Sequence, residues 1–471
     1  MVLHWRIVEL WSRIKDLRDL ETCPDHVQFQ LTSVCSQLLK LFCDSESSKF
    51  PGSEKVKEVV GVAEVLRIYA DEKLLSYPYK DVPSHWRQLY TDAILIKVSA
   101  IWARDLIHDR SLSEERFTDW SELIRLLDMV LIIAGAPGRG RREALFLLIE
   151  SIQQTHLSDL NIPVTNQQDE HRSPKRIRTL TPPSREKGPR LDTKFNPTPL
   201  IMNPIPVYEK APSAKEYVDG LHRGPFVIKR YCSQWACLQT HPWRDIDYLK
   251  SVSGPSRVVP VEVGQAYTSE DWGQRIMPWS DVLDSIGFPD YMAHNEGLLY
   301  LAQYDLFRQF PPLQEDISIP EYVHCDFSDN STRIRPASED GLILNAWLGP
   351  SGTVSPAHVD PYYNCYAQIV GRKYVWLASP KFQSEMYPFG STDEEESLQA
   401  TYMTNTSQVD VISSCTNDID SIKVSYPNFV EKVMPEAMQV VLEEGDLMIM
   451  PPGWWHSMKS LSPSISVSMW F

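Results

Sequence analysis

The sequence predicts an α+β protein, with an all-α domain over residues 1–162 and a β-rich domain over residues 201–471. Three observations support this fold class. Apolar residues recur at helical spacing in the first domain, and short β-type runs separated by Gly and Pro fill the second. Between the two domains, residues 163–200 are rich in Pro, Ser, Thr and charged side chains, a composition that predicts a disordered linker.

The N-terminal region has the periodicity of amphipathic helices. Leu3, Ile7, Leu10 and Ile14 follow one another at intervals of three or four positions. The stretch "SELIRLLDMVLIIAGAPG" at 121–138 ends in the Gly and Pro residues that stop a helix. We expect five to seven helices whose apolar stripes form the core of their own domain. A partner-binding surface on this domain is the alternative.

The linker contains a short basic cluster, "PKRIR", at 174–178. It can be interpreted as a nuclear import signal flanked by proline-directed phosphorylation sites at Ser173 and Thr181. The plainer interpretation, a solvated linker with a few basic residues, is equally compatible with the composition.

The region after residue 200 consists of short apolar runs. They include "GPFVIKRY", "SRVVPVEVG", "GLILNAWLGP", "GDLMIMPPGWWH" and "SISVSMWF". Many short strands punctuated by Gly and Pro predict a sandwich or barrel-like double sheet. Such folds offer a mouth in which a ligand can bind.

Composition narrows the classes of function. The formal net charge of −16 argues against direct binding to nucleic acid or to anionic lipid. The eight cysteines form no C-x-x-C pair, so we expect reduced thiols in an intracellular protein, nuclear and/or cytoplasmic. Charged residues within the first apolar pattern argue against a signal peptide, and no apolar run is long enough to predict a membrane helix.

A histidine followed two positions later by an acid is a weak signal for a metal site. With 12 histidines and 62 acidic residues in 471 positions, about two such pairs are expected by chance. Three occur, at His294–Glu296, His324–Asp326 and His358–Asp360. The spacing alone therefore identifies none of them.

The third pair is distinguished by the residues around it. In one extended segment, His358, Asp360 and Asn364 share a face with Tyr366. If Gly371 and Arg372 form a two-residue hairpin turn, Val370 pairs with Lys373, and Lys373 joins the same face. We expect a metal-ligand pair, an amide and a lysine to converge on this surface.

A third ligand is predicted near the C-terminus. His456 follows a strand and a Pro/Gly turn in "GDLMIMPPGWWH". His358, Asp360 and His456 would together form a two-histidine, one-carboxylate triad, which leaves coordination positions of Fe(II) free for a 2-oxoacid and O2. Zinc or manganese is the alternative metal. Without a metal, the pair would be a hydrogen-bonded turn and His456 a core histidine.

These residues resemble the JmjC family, the cupin-type double-stranded β-helix domains of Fe(II)- and 2-oxoglutarate-dependent oxygenases. Within that family the similarity is greatest to the Jumonji-domain-containing protein five subgroup. Besides the triad, it rests on "RVVPVEVG", "YLAQYDLF", "DISIPEY", "NAWLGPSGTVSP", "VGRKYVWLASP", "NTSQVDV" and "SVSMWF". It covers about residues 200–471, while the helical half resembles the subgroup only in general plan.

The resemblance implies roles for individual residues. His358, Asp360 and His456 would bind iron, and Lys373 would pair with the distal carboxylate of 2-oxoglutarate. The polar side chains that would hydrogen-bond this cosubstrate are Tyr300, Ser355 and Asn364. Ordinary core or turn positions are the alternative for Tyr300 and Ser355.

A substrate pocket is also implied beside the iron. Trp347 and Trp470 would form its walls, with plain sheet packing as the alternative. Glu262, in "VPVEVG", would receive a cationic substrate side chain such as that of arginine. A cross-strand ion pair is an equally good explanation of this acid.

The resemblance implies an oxygenase that acts on a protein or peptide, chromatin-associated or ribosomal. We favour hydroxylation of a side chain, with arginine preferred because of Glu262. The alternative is demethylation of N-methyl-lysine; against it, the chain lacks Cys/His zinc clusters, and its triad has Asp where many histone demethylases have Glu. A non-catalytic cupin-type scaffold is the interpretation from another class. Oligomeric state is not predicted.

The chain departs from the subgroup in length. Asp360 and His456 are 96 positions apart. The extra residues lie in "STDEEESLQATYM" and "SSCTNDIDSIKVSYP", and "HCDFSDNSTRIRPASEDG" is long as well. The first two are polar and turn-rich, so we expect loops there rather than an altered core, and the third could shape substrate entry.

Overall fold

A computed structural model describes nine stretches of the chain, and the statements below concern these alone: residues 22–44, 53–107, 118–158, 201–264, 272–287, 298–327, 333–390, 403–414 and 419–471. The linker at 163–200, its basic cluster and the first amphipathic stretch lie outside the described residues. No helix in the described part combines the length and apolarity needed to cross a membrane.

The described chain forms two compact units. One contains the residues up to 158 together with Gly254–Val259, and the other contains 201–253 and the residues from Pro260 to Phe471. The predicted boundaries had assigned 254–259 to the β-rich domain. This segment packs with the helices because Arg257, buried, donates through Nε and Nη2 to the Asp128 carboxylate at 2.9 and 2.7 Å.

The first unit is helical, as predicted. Its described helices of ten residues or more are Asp25–Asp44, Ser53–Leu75, Ser84–Ile107, Trp120–Met129 and Arg141–His156. Asp119 caps the fourth by accepting the Glu122 amide at 3.1 Å, and that helix continues as a π-helical turn, Val130–Ala134. Gly135 ends it at φ 74°, which fits the Gly/Pro stop signal read from the sequence.

The second unit contains two β-sheets with jelly-roll character, and one of their strands, Val258–Val263, begins within the 254–259 segment of the first unit. The described strands are β1 Val207–Tyr208, β2 Phe226–Ile228, β3 Val258–Val263, β4 Gly273–Pro278, β5 Leu299–Tyr304, β6 Ile343–Gly349, β7 Val354–His358, β8 Asn364–Val370, β9 Lys373–Ala378, β10 Met438–Leu442, β11 Leu447–Met450, β12 Trp455–Ser460 and β13 Ser464–Trp470. The larger sheet has the order β1-β2-β11-β8-β13-β6-β5-β3-β4, and the smaller β10-β9-β12-β7. Apart from the parallel β1–β2 pair, the strand pairs with a described register are antiparallel. This arrangement confirms the predicted double sheet.

Short helices connect or flank the strands. They are Ala214–Asp219, Ile246–Ser253, Trp279–Gly287, Leu306–Gln309, Pro312–Glu315, Val411–Ser414 and Ile419–Ser425. The last two fall in or beside "SSCTNDIDSIKVSYP", which was expected to be loop. That expectation was wrong for the part described, since an apolar pattern embedded among polar residues forms helix there.

The inner faces of the two sheets pack against each other. Tyr366 and Met448 from the larger sheet share a buried cluster with Val375 and Leu377 from the smaller one. The outer face of the smaller sheet forms a second cluster with the segment after residue 408. Its members include Tyr374, Trp376, Trp455, Val411, Phe429 and Val433. The long connection before His456 therefore supplies core residues as well as loop.

The predicted hairpin at Gly371–Arg372 is wrong. β8 lies in the larger sheet and β9 in the smaller one, so Val370 and Lys373 are not cross-strand partners. Gly371, at φ 74°, makes a corner between the sheets, and a Cβ there would lie 2.0 Å from the carbonyl oxygen of Pro463. Lys373 nevertheless faces the same interior as Asn364, because both sheets turn their inner faces toward one space.

Candidate metal centre

His358, Asp360 and His456 come together in the second unit. One potential ligand atom from each lies within 4.8 Å of the others. His456 Nε2 is 3.6 Å from Asp360 Oδ2, and His358 Nε2 is 4.0 Å from Asp360 Oδ1. The two imidazole rings are 4.2 Å apart between centroids. Residues about 100 positions apart in sequence thus meet because β7 and β12 are neighbours that pair His358 with His456.

Both imidazoles are oriented by the backbone. His358 Nδ1 lies 2.8 Å from the carbonyl oxygen of Pro356, and His456 Nδ1 lies 3.0 Å from that of Trp454. A carbonyl only accepts, so in each ring Nδ1 carries the hydrogen and Nε2 keeps its lone pair for a metal. Burial lowers the pKa of His456 to about 4, and His358 acts in the same direction. His456 is therefore neutral and able to ligate at physiological pH.

A β-bulge lets β7 turn two side chains toward the interior. The register passes from His456–His358 to Met458–Ser355, so three positions of β7 face two of β12. Alternation alone would place residues 355 and 358 on opposite faces. The extra residue brings Ser355 and His358 to the same side.

Asp360 lies in the turn after β7 and not in a strand. β7 ends at His358, and β8 begins at Asn364 in the other sheet, so the expected single extended face from 358 to 366 was wrong. The Gly453 amide donates to the Asp360 carbonyl at 2.9 Å. The turn that carries Asp360 is thereby tied to the "PPGWW" loop that leads into His456.

The segment at 403–407 supports this turn from the other side. The Val359 amide donates to the Asn405 carbonyl at 3.0 Å, and the Asn405 side-chain amide donates to the Val359 carbonyl at 3.1 Å. Ser407 donates its amide to the Ala357 carbonyl at 2.8 Å. The end of the long connection therefore acts as an additional edge for β7.

Lys373 is buried deep in the same interior. Its Nζ lies 2.9 Å from the hydroxyl of Tyr366 and 3.4 Å from that of Tyr300. Lys373 is only 1% exposed, and no carboxylate of the described residues lies within ion-pair distance. Burial lowers the pKa of Lys373 to about 7. A buried ammonium group whose neighbours are phenols is a site that favours an anionic ligand.

The other predicted cosubstrate residues border the same space. Tyr300 is buried, and burial raises its pKa, an effect that the Ser355 side chain partly offsets. Asn364 is 4% exposed, and its Oδ1 has no hydrogen-bond partner among the described residues. A buried amide oxygen without a partner is costly, so a ligand able to donate or bridge would satisfy it.

The predicted substrate residues line the larger sheet. Trp347 donates its indole hydrogen to Ser468 Oγ at 2.9 Å, and its ring lies 6.1 Å from that of Tyr300. Trp470 pairs with Asn364 in register, is 8% exposed, and its Nε1 has no hydrogen-bond partner among the described residues. Glu262 pairs directly with Tyr300 across β3 and β5, so the two side chains share a face. Burial raises the pKa of Glu262, and the Trp272 indole offsets part of that rise.

Two residues on the inner face were not predicted as site residues. Tyr366 contacts Lys373, and Asn345, 4% exposed, has a side-chain nitrogen without a partner in the described chain. The signal for both was alternation: Tyr366 lies two positions beyond Asn364, and Asn345 two positions before Trp347. Sequence reasoning placed Tyr366 on the right face but assigned it no role.

The arrangement fits Fe(II) and a 2-oxo diacid. Two imidazoles aim Nε2 at one carboxylate, which is the donor set of the facial triad. The buried ammonium of Lys373 fits an anionic cosubstrate, and the Asn364 side chain could donate to it through Nδ2, whereas its unsatisfied Oδ1 needs a donor such as water. Among the described residues, no other cluster of three or more His, Cys, Asp or Glu ligands occurs.

Comparison with known proteins finds relatives of this chain. The model of the Cupin-like domain matches residues 214–471. "Lysine-specific demethylase 8" of Danio rerio is 32% identical over 426 residues, which cover 87% of this chain and 86% of the relative. "Jumonji C domain-containing protein 5" of Drosophila melanogaster is 36% identical over 263 residues, 55% of this chain and 58% of the relative.

A more distant relative has a different activity in its name. "Bifunctional peptidase and (3S)-lysyl hydroxylase JMJD7" of Homo sapiens is 22% identical over 263 residues, 52% of this chain and 77% of the relative. The domain match covers more than half of the sequence, and the Danio rerio protein aligns along most of both chains. The chain therefore belongs to the cupin-like family, as a JmjC oxygenase of the kind that includes lysine-specific demethylase 8 and Jumonji C domain-containing protein 5.

Proposed function

We propose that this JmjC oxygenase uses Fe(II), 2-oxoglutarate and O2 to hydroxylate a protein side chain, with arginine as the favoured target. The observation that carries the proposal is the convergence of His358, Asp360 and His456 in the interior that also holds Lys373. The substrate protein is chromatin-associated or ribosomal, and the enzyme acts in the nucleus and/or the cytoplasm.

The side chains have distinct tasks in this reaction. Nε2 of His358, Nε2 of His456 and the Asp360 carboxylate would hold the metal, while Lys373 and Tyr300 would bind the distal carboxylate of 2-oxoglutarate. Ser355 and Asn364 would add hydrogen bonds to that cosubstrate. When bound, iron, 2-oxoglutarate and O2 supply the oxidising power that inserts oxygen into a C–H bond, with release of succinate and CO2. The buried walls exclude water and orient the target carbon.

Glu262 supports arginine as the target. It shares a face with Tyr300, and its raised pKa reflects a carboxyl group partly withdrawn from water. A planar guanidinium can donate two parallel hydrogen bonds to such a carboxylate. The incoming cation would offset the cost of burying the acid and would fix the arginine side chain relative to the metal.

Demethylation of N-methyl-lysine is the second candidate. It is favoured by the name of the Danio rerio relative, which aligns along 87% of this chain. Hydroxylation of an N-methyl group yields a carbinolamine that releases formaldehyde, so both candidates need the same metal and cosubstrate. A non-catalytic scaffold is disfavoured, because it would need neither the triad nor a buried lysine.

The deciding experiment is mass spectrometry of candidate peptides after incubation with the full-length protein, Fe(II), 2-oxoglutarate and O2. An arginine-bearing peptide that gains one oxygen atom supports hydroxylation. A methyl-lysine peptide that loses a methylene unit, with formaldehyde released, supports demethylation. Succinate formation is measured in parallel.

Asp360→Ala should abolish product formation and stoichiometric Mn(II) binding. Asp326→Ala is the matched control, since Asp326 belongs to another His-x-Asp pair, is 74% exposed and pairs with Arg335 outside the triad. If the parent protein forms no succinate with any peptide and Asp360→Ala binds Mn(II) as well as the parent does, the scaffold becomes the better explanation.

A further inference from the structure

Tyr366 is the closer of the two phenols to the Lys373 ammonium group. The Nζ–Oη distance is 2.9 Å, compared with 3.4 Å to Tyr300. Tyr366 lies on β8, two positions beyond Asn364, and packs in the cluster between the two sheets. It is 2% exposed. None of the roles proposed above uses its hydroxyl group.

The hydrogen bonds around Tyr366 have a direction. An ammonium group only donates, so the Tyr366 oxygen accepts from Lys373 and its own hydrogen must go elsewhere. The Ser466 hydroxyl lies within hydrogen-bonding reach of this phenol and itself donates to Oε1 of Gln368 at 2.8 Å. Gln368 Nε2 in turn donates to the Val370 carbonyl at 2.7 Å. A chain of donors and acceptors thus runs from Lys373 to the last residue of β8, next to the Gly371 corner.

We propose that Tyr366 is a positioning residue for 2-oxoglutarate, whose phenol holds the Lys373 ammonium group where the distal carboxylate binds. The inference rests on the proposed use of 2-oxoglutarate and adds to it a residue that acts through Lys373. The contact of this phenol is with the Lys373 head group, at 2.9 Å.

Among the groups that face Lys373, the two phenols are the ones that influence its pKa most directly. In register, Leu442 of β10 and Ser460 of β12 lie opposite Lys373. Tyr300 faces it from β5, and Glu262 lies beyond Tyr300 on β3. A phenol oxygen that accepts from the ammonium favours the charged form. Removing that oxygen should lower the pKa of Lys373. As pH rises, the variant should therefore lose its affinity for a dianion at a lower pH than the parent protein does.

The test is calorimetric titration of the full-length protein with 2-oxoglutarate in the presence of Mn(II), from pH 6 to pH 9. Tyr366→Phe should raise the Kd about tenfold at pH 7.5, the loss expected for one hydrogen bond to a charged group. The pH at which affinity falls should shift downward. Ser466→Ala, which breaks the chain one step further away, should give a smaller shift in the same direction. In turnover, KM for 2-oxoglutarate should rise while kcat changes little.

Tyr374→Phe is the matched control. It removes the same atom from the residue next to Lys373, but Tyr374 is buried in the cluster on the outer face of the sheet. Its affinity and pH profile should equal those of the parent protein. If Tyr366→Phe fails to fold, Ser466→Ala and the control carry the comparison.

Two results would overturn the inference. One is a Tyr366→Phe protein with the Kd and pH profile of Tyr374→Phe. The other is a Tyr366→Phe protein that loses affinity equally at every pH and unfolds at a lower temperature, while Ser466→Ala behaves like the parent. That combination would indicate a structural role alone. If the parent protein itself binds no 2-oxoglutarate, it is the proposed function that fails.

Discussion

Lys373 places an amino group in the protein interior, where a charged group ordinarily costs free energy of folding. Its two nearest polar neighbours, Tyr300 and Tyr366, are neutral phenols, and its pKa is lowered to about 7 by burial. A buried group of this kind weakens the ligand-free fold and strengthens the bound state. The Lys373 side chain therefore lowers the stability of the ligand-free protein and raises its affinity for the cosubstrate.

Lys373→Met should stabilise the ligand-free protein by about 1–4 kcal/mol at pH 7, while 2-oxoglutarate binding is lost. In the parent, the folded pKa lies near 7 and the unfolded pKa at 10.5, so the unfolded chain binds more protons between these values. The parent's stability should then rise with pH across that window and stay level below about pH 7, where both states bind the proton. The variant should lack this component. Urea denaturation at several pH values measures both effects.

The matched comparison is Lys229→Met. Lys229 lies 2.5 Å from the buried carboxylate of Asp446, so its removal leaves a buried acid with the amides of Arg230 and Glu443 as its donors. This change should destabilise by about 3–5 kcal/mol. If both substitutions changed the free energy of unfolding in the same direction, the explanation given for Lys373 would be contradicted.

At the scale of elements, the site depends on features that bring two sheets to one space. The Gly371 corner passes the chain from β8 to β9, and the bulge in β7 turns Ser355 and His358 to the same side. The segment at 403–407 then braces the turn of Asp360 through Val359. These connections, more than the strands themselves, determine where the ligands point.

Gly371→Ala should destabilise the protein by several kcal/mol. Its φ of 74° is unfavourable for alanine, and the new Cβ would lie 2.0 Å from the Pro463 carbonyl oxygen, so backbone must move. Gly273→Ala is the control, because no atom lies within 4 Å of a Cβ at that position. Chemical denaturation with metal-binding titrations should show lower stability and weaker binding for the first variant alone. Equal stability of the two variants would show that the corner is not constrained.

At the scale of the whole molecule, the formal net charge of −16 is the dominant electrostatic property. An acidic protein attracts cationic peptides over long distances, and salt weakens this attraction by screening the charges. This long-range effect is separate from the short-range recognition proposed for Glu262, and it would help a basic substrate segment to reach the site.

The KM for a lysine- and arginine-rich substrate peptide should therefore rise about threefold to tenfold when salt is increased from 50 to 300 mM. A peptide with the same target arginine but glutamine in place of the flanking basic residues should show a weaker dependence. Glu262→Gln should raise KM at both salt concentrations and leave the ratio between them unchanged. A KM independent of salt would exclude electrostatic steering.

Much of the secondary structure, and the metal-ligand residues, could be predicted from residue periodicity and local chemistry. Helical spacing, short strands with Gly and Pro, and the stop at "AGAPG" depend on neighbouring residues, and the structure confirms them. The triad was predicted from its donor types, the residues around it and the resemblance to JmjC oxygenases, and His358, Asp360 and His456 do meet. The individual roles of Glu262, Trp347 and Trp470 stay predictions.

Other properties depended on contacts between distant parts of the chain. The sequence could not reveal that Gly371 is a corner rather than a hairpin, since the choice depends on its contact with Pro463, some ninety positions away. Nor could it reveal that Val411 and Phe429 cover a sheet, or that Tyr366 holds Lys373. Alternation along a strand determines which face a side chain takes, but only the packing of one sheet on another determines what lies opposite that face.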